Sequence, residues 1–210
     1  EPDRRGGQRV KILDFGLAKI YDPKARADGK PGLPVDDLAT QALAPLALVG
    51  LSGAGKSTVA RVLAARLDLP LRDTDALVSA AAGMPVAQIF AERGEAAFRA
   101  LETAALTVVL ADGPAVVATG GGIVLRESSR TLLHTGAFVV WLDAPDAALL
   151  ARLHAHDEMR PLLVGDAAAR LATLRAARAT LYAEVAHLHV ATDGLSVAAV
   201  ADVIISSYVL

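Results

Sequence analysis

The stretch Gly50–Thr58, with the sequence GLSGAGKST, decides the fold. It fits the pattern G-x-x-x-x-G-K-[ST], in which glycines let backbone amides turn toward phosphate oxygens. Lys56 is the only lysine in residues 31–210, where twelve arginines carry the rest of the positive charge. We therefore predict a phosphate-binding loop (P-loop) whose nucleotide contacts come from Gly53, Ala54, Gly55, Lys56, Ser57 and Thr58.

The residues on either side of this P-loop predict a strand before it and a helix after it. Leu46–Gly50 is a short apolar run typical of a buried parallel strand, and residues 57–67 carry apolar side chains at helical spacing. In this context Lys56 would reach the β and γ phosphates, and Ser57 would offer its hydroxyl to Mg²⁺. The flanks disfavour the alternative, a glycine-rich turn without function.

Composition predicts one well-packed domain and disfavours nucleic acid and membrane as binding partners. The chain has 210 residues, 53% of them hydrophobic, a net charge of −2 and no cysteine. Disulfides and cysteine-ligated metals are therefore excluded, and no overall charge favours nucleic acid. No apolar run is long enough for a membrane span, and no signal-peptide pattern opens the chain. We expect a cytoplasmic monomer that binds neither nucleic acid nor membrane.

Residues 1–45 differ from the rest of the chain. They are rich in Pro, Gly and charged residues, so we predict a poorly ordered extension or linker before a domain at residues 46–210. The start at Glu1 is consistent with a piece of a longer protein. Residues 10–18, VKILDFGLA, resemble the D-F-G segment of protein kinases, but no other protein-kinase motif follows Asp14. We expect a short apolar segment there.

From residue 46 onward, short apolar runs alternate with helical patterns, which predicts a parallel sheet covered by helices. The predicted helices include residues 95–111 and 167–185. The expected architecture is a three-layer α/β/α domain with five parallel strands, at residues 46–50, 69–73, 115–119, 137–143 and 188–192.

Several polar or glycine-rich motifs lie where these strands end or shortly afterwards. Open α/β sheets bind ligands beyond the carboxyl ends of their strands, so such positions are candidates for a binding site. The motifs, in chain order, are Asp73-Thr-Asp75, Phe98-Arg-Ala-Leu-Glu102, Gly120-Gly-Gly122, Arg160-Pro-Leu-Leu163 and Arg178-Ala-Thr-Leu-Tyr182.

The order and spacing of these motifs resemble shikimate kinase over about residues 46–207. The resemblance implies a P-loop NTPase fold of the nucleoside monophosphate kinase-like group, with a mobile lid at about residues 153–165. It also implies that ATP, with Mg²⁺, phosphorylates the 3-hydroxyl of shikimate to give shikimate 3-phosphate and ADP, a step toward chorismate and the aromatic amino acids.

The resemblance further implies a role for each motif. Asp75 would hold the shikimate hydroxyls and accept the proton, and Asp73 would reach Mg²⁺ through water. Arg99 and Arg178 would clamp the shikimate carboxylate, beside a pocket lined by Gly120, Gly121 and Gly122. Lys56 and the lid residue Arg160 would act on the phosphates, making Asp75, Lys56 and Arg160 the catalytic set. Arg152 would stack on adenine.

Taken singly, these residues also have structural interpretations. Asp73 or Asp75 could be a helix N-cap, and Arg99 and Glu102 could form a surface ion pair. Asp143, after a strand, could bind Mg²⁺, but the helix-start pattern that follows disfavours this. The pairs His154/His156 and His187/His189 lack a third metal ligand at suitable spacing, so we expect solvated side chains.

Two other functions remain open from the sequence. The domain could be a non-catalytic, shikimate-kinase-like ligand sensor of a transcriptional regulator, or a sister small-molecule kinase such as gluconate kinase. The paired carboxylates Asp73 and Asp75 argue against a sensor. The two arginines beside the glycines fit an anionic cyclic acceptor better than gluconate. One departure from the family lies at residues 192–196, which offer no long polar side chain for adenine.

Overall fold

The computed structural model describes residues 11–12, 43–155 and 166–209. In that part of the chain, six strands form one sheet in the order β1-β6-β5-β2-β4-β3. The strands are β1 (Lys11–Ile12), β2 (Leu46–Val49), β3 (Leu71–Asp73), β4 (Val116–Ala118), β5 (Phe138–Asp143) and β6 (Leu188–Ala191).

The five strands from β2 to β6 are parallel, as the sequence predicts. β2 lies between β4 and β5, with Leu46 opposite both Val116 and Phe138. All four residues of β2 are buried, which explains why this strand is an unbroken apolar run. Because the strands are parallel, their carboxyl ends share one edge of the sheet, and the P-loop leaves β2 at that edge.

Helices cover the sheet and confirm the predicted three layers. They are α1 (Lys56–Leu67), α2 (Thr74–Ala82), α3 (Val86–Ala111), α4 (Glu127–Gly136), α5 (Asp146–Ala155), α6 (Ala167–Val185) and α7 (Val197–Tyr208), with a 3₁₀ turn at Ile123–Leu125. The main core packs these helices on the sheet, whereas Val78, Ile89 and Phe98 form a second cluster between α2 and α3.

The third helix, α3, starts earlier than the sequence predicts. The predicted helix begins at Glu95, but helical structure already begins at Val86 and is broken at Gly94, where φ is 76° and ψ is 171°. Residues with side chains rarely adopt these angles, so Gly94 divides α3 into two segments. The predicted helix start, Glu95, is therefore the first residue after the break at Gly94.

The strand β1 lies within the predicted extension. It pairs antiparallel with β6, and Lys11 lies opposite His189. A strand of two residues is too short to show a period in the sequence, which is why the pattern did not predict it. Residues 1–10 and 13–42, including Asp14, lie outside the described residues.

The predicted lid begins inside a helix. Residues 153–155 form the end of α5, and Leu153 is buried. The rest of the predicted lid, residues 156–165, lies outside the described residues.

In the part of the chain that the structure describes, no single helix is long and apolar enough to cross a membrane. The helices α2 and α3 pass that test only as a pair, bent by 88° at the break between them.

Candidate active site

The P-loop connects β2 to α1. Gly55 adopts a left-handed conformation with φ of 92°, and α1 begins at the next residue. The Nζ of Lys56 donates to the carbonyl oxygens of Gly50 and Leu51, at 2.8 and 3.0 Å. Ser57 and Thr58 are exposed in the first turn of α1, whereas Ala54 is buried. The amides at the helix start, the ammonium and two hydroxyls thus lie together, as phosphate binding requires.

Arg152 lies between the P-loop and the end of β6. Its Nη1 donates to Thr192 Oγ1 at 2.9 Å and lies 3.5 Å from the carbonyl oxygen of Gly53, while Nη2 donates to the Thr192 carbonyl at 3.1 Å. The guanidinium therefore borders residues 192–196, where the sequence offers no long polar side chain. This position suits a contact with the nucleotide base.

The motif Asp73-Thr-Asp75 joins β3 to α2. Asp73 Oδ1 accepts hydrogen bonds from the backbone amides of Asp75 and Ala76, so Asp73 is the N-cap of α2. Thr74 is fully buried, and its Oγ1 accepts a bond from the Gly120 amide at 3.1 Å. Asp73 is thus a helix N-cap, as the structural interpretation predicts. The hydrogen bond between Gly120 and Thr74 connects this motif to the three glycines.

The glycines at 120–122 lie among the side chains that the sequence predicts for substrate binding. A Cβ atom at Gly120 would lie 2.7 Å from both Asp75 Oδ1 and Glu102 Oε1. At Gly121 it would lie 3.4 Å from the Gly50 carbonyl oxygen of the P-loop and 3.7 Å from Arg178 Nη1.

The third of these glycines, Gly122, lies against Arg99. A Cβ atom there would overlap the guanidinium of Arg99. Side chains at 120 and 122 would therefore displace Asp75, Glu102 or Arg99, which explains why glycine occupies both positions.

Arg99 is enclosed rather than exposed on the surface. Its side chain is 12% exposed, and Nη1 donates to Glu102 Oε2 at 2.8 Å. The rings of Phe98 and Phe90 lie 5.1 and 5.9 Å from its guanidinium carbon. Glu102 itself is 1% exposed. The alternative of a surface ion pair is therefore wrong for this pair.

The helix α6 also contacts the glycine segment. Arg178 Nη1 donates to the Gly121 carbonyl oxygen at 3.1 Å, and the Tyr182 hydroxyl donates to the same oxygen. Tyr182 is buried, and burial raises its pKa to about 12 although Arg178 acts in the opposite direction. The phenol therefore stays protonated and holds the glycine segment against α6.

Comparison with known proteins identifies the family. The sequence profile of one family, shikimate kinase, matches residues 52–208. The chain belongs to the shikimate kinase family.

Individual relatives agree with this assignment. A shikimate kinase of Symbiobacterium thermophilum is 47% identical over 150 residues, which cover 70% of this chain and 86% of the relative. One of Caulobacter vibrioides is 46% identical over 158 residues, or 75% and 78% of the two chains.

Solved structures give the same result. Shikimate kinase of Acinetobacter baumannii in complex with shikimate matches with a TM-score of 0.75 and 34% identity, over 83% of this chain and 96% of that one. Shikimate kinase of Bacteroides thetaiotaomicron matches with a TM-score of 0.74 and 27% identity, over 80% and 100%. The chain is thus an enzyme of the shikimate kinase type, with the predicted α/β P-loop kinase fold.

Two residues of this shikimate kinase-type site, Glu102 and Tyr182, were quoted in the sequence motifs without a predicted role in substrate binding or catalysis. Glu102 fixes Arg99, and Tyr182 fixes the Gly121 carbonyl. Burial raises the pKa of Glu102, opposed by the bond and charge of Arg99. The motif F-R-x-x-E contains the signal for Glu102, because residues three apart share one face of a helix.

Asp143 belongs to a different group of contacts. Its Oδ1 accepts from Arg175 Nη1 at 2.8 Å, and Arg175 Nε also binds Asp146 Oδ1 at 2.6 Å. Burial would raise the pKa of Asp143, but the neighbouring His189, with Nε2 3.7 Å from Oδ2, and the hydrogen bond and charge of Arg175 outweigh it and lower the pKa. Asp143 therefore joins β5 to α6 through Arg175.

The histidines and Arg160 complete the set of predicted positions. His187 Nδ1 accepts from the Val139 amide at 3.0 Å, and the ring of His189 stacks on Trp141 with centroids 4.1 Å apart. The expectation of solvated side chains is therefore wrong for these two. Arg160 and His156 lie outside the described residues.

Proposed function

We propose that this enzyme transfers the γ-phosphoryl group of ATP to the 3-hydroxyl of shikimate, giving shikimate 3-phosphate and ADP. The observation that carries the proposal is the position of Gly120–Gly122. The Gly121 carbonyl accepts a bond from the clamp residue Arg178, and Cβ atoms added at these glycines would meet Asp75, Arg99 and the Gly50 carbonyl of the P-loop. Phosphate-binding and acceptor-binding groups therefore face one space, as direct transfer between two bound substrates requires.

The residues around that space have complementary roles in the proposal. Lys56 and the lid residue Arg160 bind the phosphates and neutralise the charge that develops during transfer. Asp75 holds the acceptor hydroxyls and takes the proton of the attacking oxygen. Gly53, Ala54, Gly55, Ser57 and Thr58 hold the phosphates, and Arg152 contacts adenine.

The acceptor's carboxylate lies between the two arginines in this proposal. Arg99 comes from α3 and Arg178 from α6; a Cβ atom at Gly122 would overlap the Arg99 guanidinium, and one at Gly121 would lie 3.7 Å from Arg178 Nη1. A planar guanidinium binds carboxylate through two parallel hydrogen bonds, which lysine cannot do. The pair therefore favours an acceptor that carries a carboxylate.

The residues near the phosphates also fit Mg²⁺. Ser57 offers a hydroxyl at the start of α1, and the N-cap bonds of Asp73 engage Oδ1, leaving Oδ2 as the oxygen we propose for a water-mediated contact. Hard oxygen donors and few protein ligands are typical of Mg²⁺ sites that bind nucleotide phosphates. Among the described residues no group of three or more His, Asp or Glu could hold a metal alone. Bound Mg²⁺ would supply charge neutralisation at the phosphates.

The remaining expectations are part of the same proposal. We propose a cytoplasmic monomer whose partners are ATP and shikimate, without nucleic acid or membrane. The domain would comprise residues 46–210, preceded by the extension at residues 1–45.

Release of ADP, measured in a coupled assay with Mg²⁺, tests the function. We expect strong stimulation by shikimate and none by gluconate. No stimulation by shikimate, with ATP still bound, would favour a ligand sensor, and stimulation by gluconate would favour a sister kinase.

The variant Asp75→Asn tests the site. It keeps the size of the side chain and removes the proton acceptor, so we expect turnover to fall by about 10²–10⁴-fold while ATP binding survives. Turnover equal to that of the wild type would remove Asp75 from its proposed role.

A further inference from the structure

The guanidinium of Arg99 binds two glutamates of very different exposure. Its Nη1 donates to Glu102, which is 1% exposed. Its Nε and Nη2 both donate to Oε1 of Glu95, at 3.3 and 3.1 Å, and the Glu95 side chain is 60% exposed. One bond is thus buried and fixed, whereas the other two lie at a surface that water and solutes reach.

The atoms held by Glu95 are the ones that a bound carboxylate would use. Nε and Nη2 form one edge of the guanidinium, and such an edge binds carboxylate through two parallel hydrogen bonds. The other directions around Arg99 are occupied by Glu102, by the rings of Phe90 and Phe98, and by Gly122. An incoming carboxylate that binds Arg99 must therefore meet Glu95 at this edge.

The helix α3 is broken directly before Glu95. Gly94 breaks α3 with φ of 76° and ψ of 171°, a combination adopted almost only by glycine. A Cβ atom at Gly94 would meet no other atom within 4 Å, so the break lies in open space. Glu95 thus begins the second segment of α3, and a carboxylate near a helix start is stabilised there without a side-chain partner.

We propose that Glu95 is a resident carboxylate that occupies the substrate-carboxylate position on Arg99 and is exchanged for the carboxylate of the acceptor when the acceptor binds. The proposal rests on the proposed function, since it takes Arg99 as part of the clamp. Glu95 keeps the charge of Arg99 paired and its guanidinium oriented. It also makes Arg99 selective, because an acceptor without a carboxylate gains nothing by displacing it.

The exchange predicts that removing the charge of Glu95 strengthens acceptor binding. An exposed ion pair is worth little in water, so the gain is modest. We expect Glu95→Gln to lower the dissociation constant for shikimate about two- to fivefold. The dissociation constant for ATP should stay unchanged, because the contacts of Glu95 are with Arg99 and not with the P-loop.

The matched control is Glu92→Gln in the same helix. Glu92 is exposed and accepts a bond from Gln88 Nε2 at 2.7 Å, so this change removes the same charge without altering a contact of Arg99. Calorimetric titration of the full chain with shikimate, and with its uncharged methyl ester, compares the three proteins. We expect tighter shikimate binding in the Glu95 variant alone, and no change for the methyl ester in any of them.

The outcomes separate the exchange from the proposed function. If the wild type binds shikimate but Glu95→Gln binds it equally or more weakly, Glu95 orients Arg99 without competing, and the exchange is wrong. An equal gain in Glu92→Gln, or a gain for the methyl ester, also overturns it, because the effect would be general charge removal. If the wild type binds no shikimate, the proposed function itself fails and the exchange with it.

Discussion

Substitution of Gly122 by alanine tests the arrangement of the acceptor site most directly. The added methyl group would overlap the guanidinium of Arg99, whereas the backbone of Gly122, with φ of −102°, accepts any residue. The atoms that must move are the end of a flexible side chain. The chain should therefore still fold, with Arg99 displaced from its position.

The size of the effect follows from the bonds that Arg99 makes. The displaced guanidinium weakens its two hydrogen bonds to the acceptor, and a loss equal to one charged hydrogen bond is worth about 1.5–3 kcal/mol, or roughly 10- to 150-fold in binding. Glu102, 1% exposed, also loses its partner. Burial raises the pKa of Glu102 and Arg99 lowers it, so loss of Arg99 would raise this pKa further, and we expect about 1–3 kcal/mol of lost folding stability.

Steady-state kinetics and urea unfolding measure the two effects. KM for shikimate should rise by the factor above, while KM for ATP stays within about twofold because the P-loop is untouched. Gly136→Ala is the control for a general effect of this substitution, since a Cβ atom there meets only Leu110, at 3.3 Å. A normal KM for shikimate in the Gly122 variant would show that Arg99 does not bind the acceptor from this position.

Two further predictions concern stability. Arg175→Gln loses ion pairs to Asp143 and Asp146, so we expect the free energy of unfolding in urea to fall by about 1–3 kcal/mol. An unchanged unfolding midpoint would show that these partly exposed pairs contribute nothing to stability. The pKa of His187 is lowered from 6.5 by burial and by His134, so below pH 6.5 the unfolded chain binds a proton that the folded chain does not. The free energy of unfolding should therefore fall as pH drops through the range just below 6.5, and His187→Gln should make that fall smaller, whereas parallel pH profiles would refute the assignment.

The sequence predicted the parts of the fold that depend on long, regular patterns. The strand β2 is apolar throughout because both of its faces are buried, and α6 was predicted with its observed bounds, Ala167–Val185. The start of α3 was missed because Gly94 interrupts the helical pattern without ending the helix. A two-residue strand such as β1 carries no pattern at all.

The sequence predicted which residues lie at the site but not which contacts they make with one another. Asp75, Arg99 and Arg178 were each predicted, and the structure brings all three to the glycine segment. The packing of α3 decides that Glu102 is buried against Arg99 and that the exposed Glu95 binds the Nε–Nη2 edge of the Arg99 guanidinium. Spacing within one helix predicts that such residues can touch, but burial decides which contact is permanent.

The bonds of Lys56 to the P-loop carbonyls have a consequence for the energetics of nucleotide binding. A lysine side chain loses up to about 2 kcal/mol of rotational entropy when it becomes fixed in one conformation. Here the carbonyl oxygens of Gly50 and Leu51 already restrict the ammonium, so much of that cost falls on folding rather than on binding. The loop is preorganised, and ATP affinity would depend more on the strength of the phosphate contacts than on ordering this side chain.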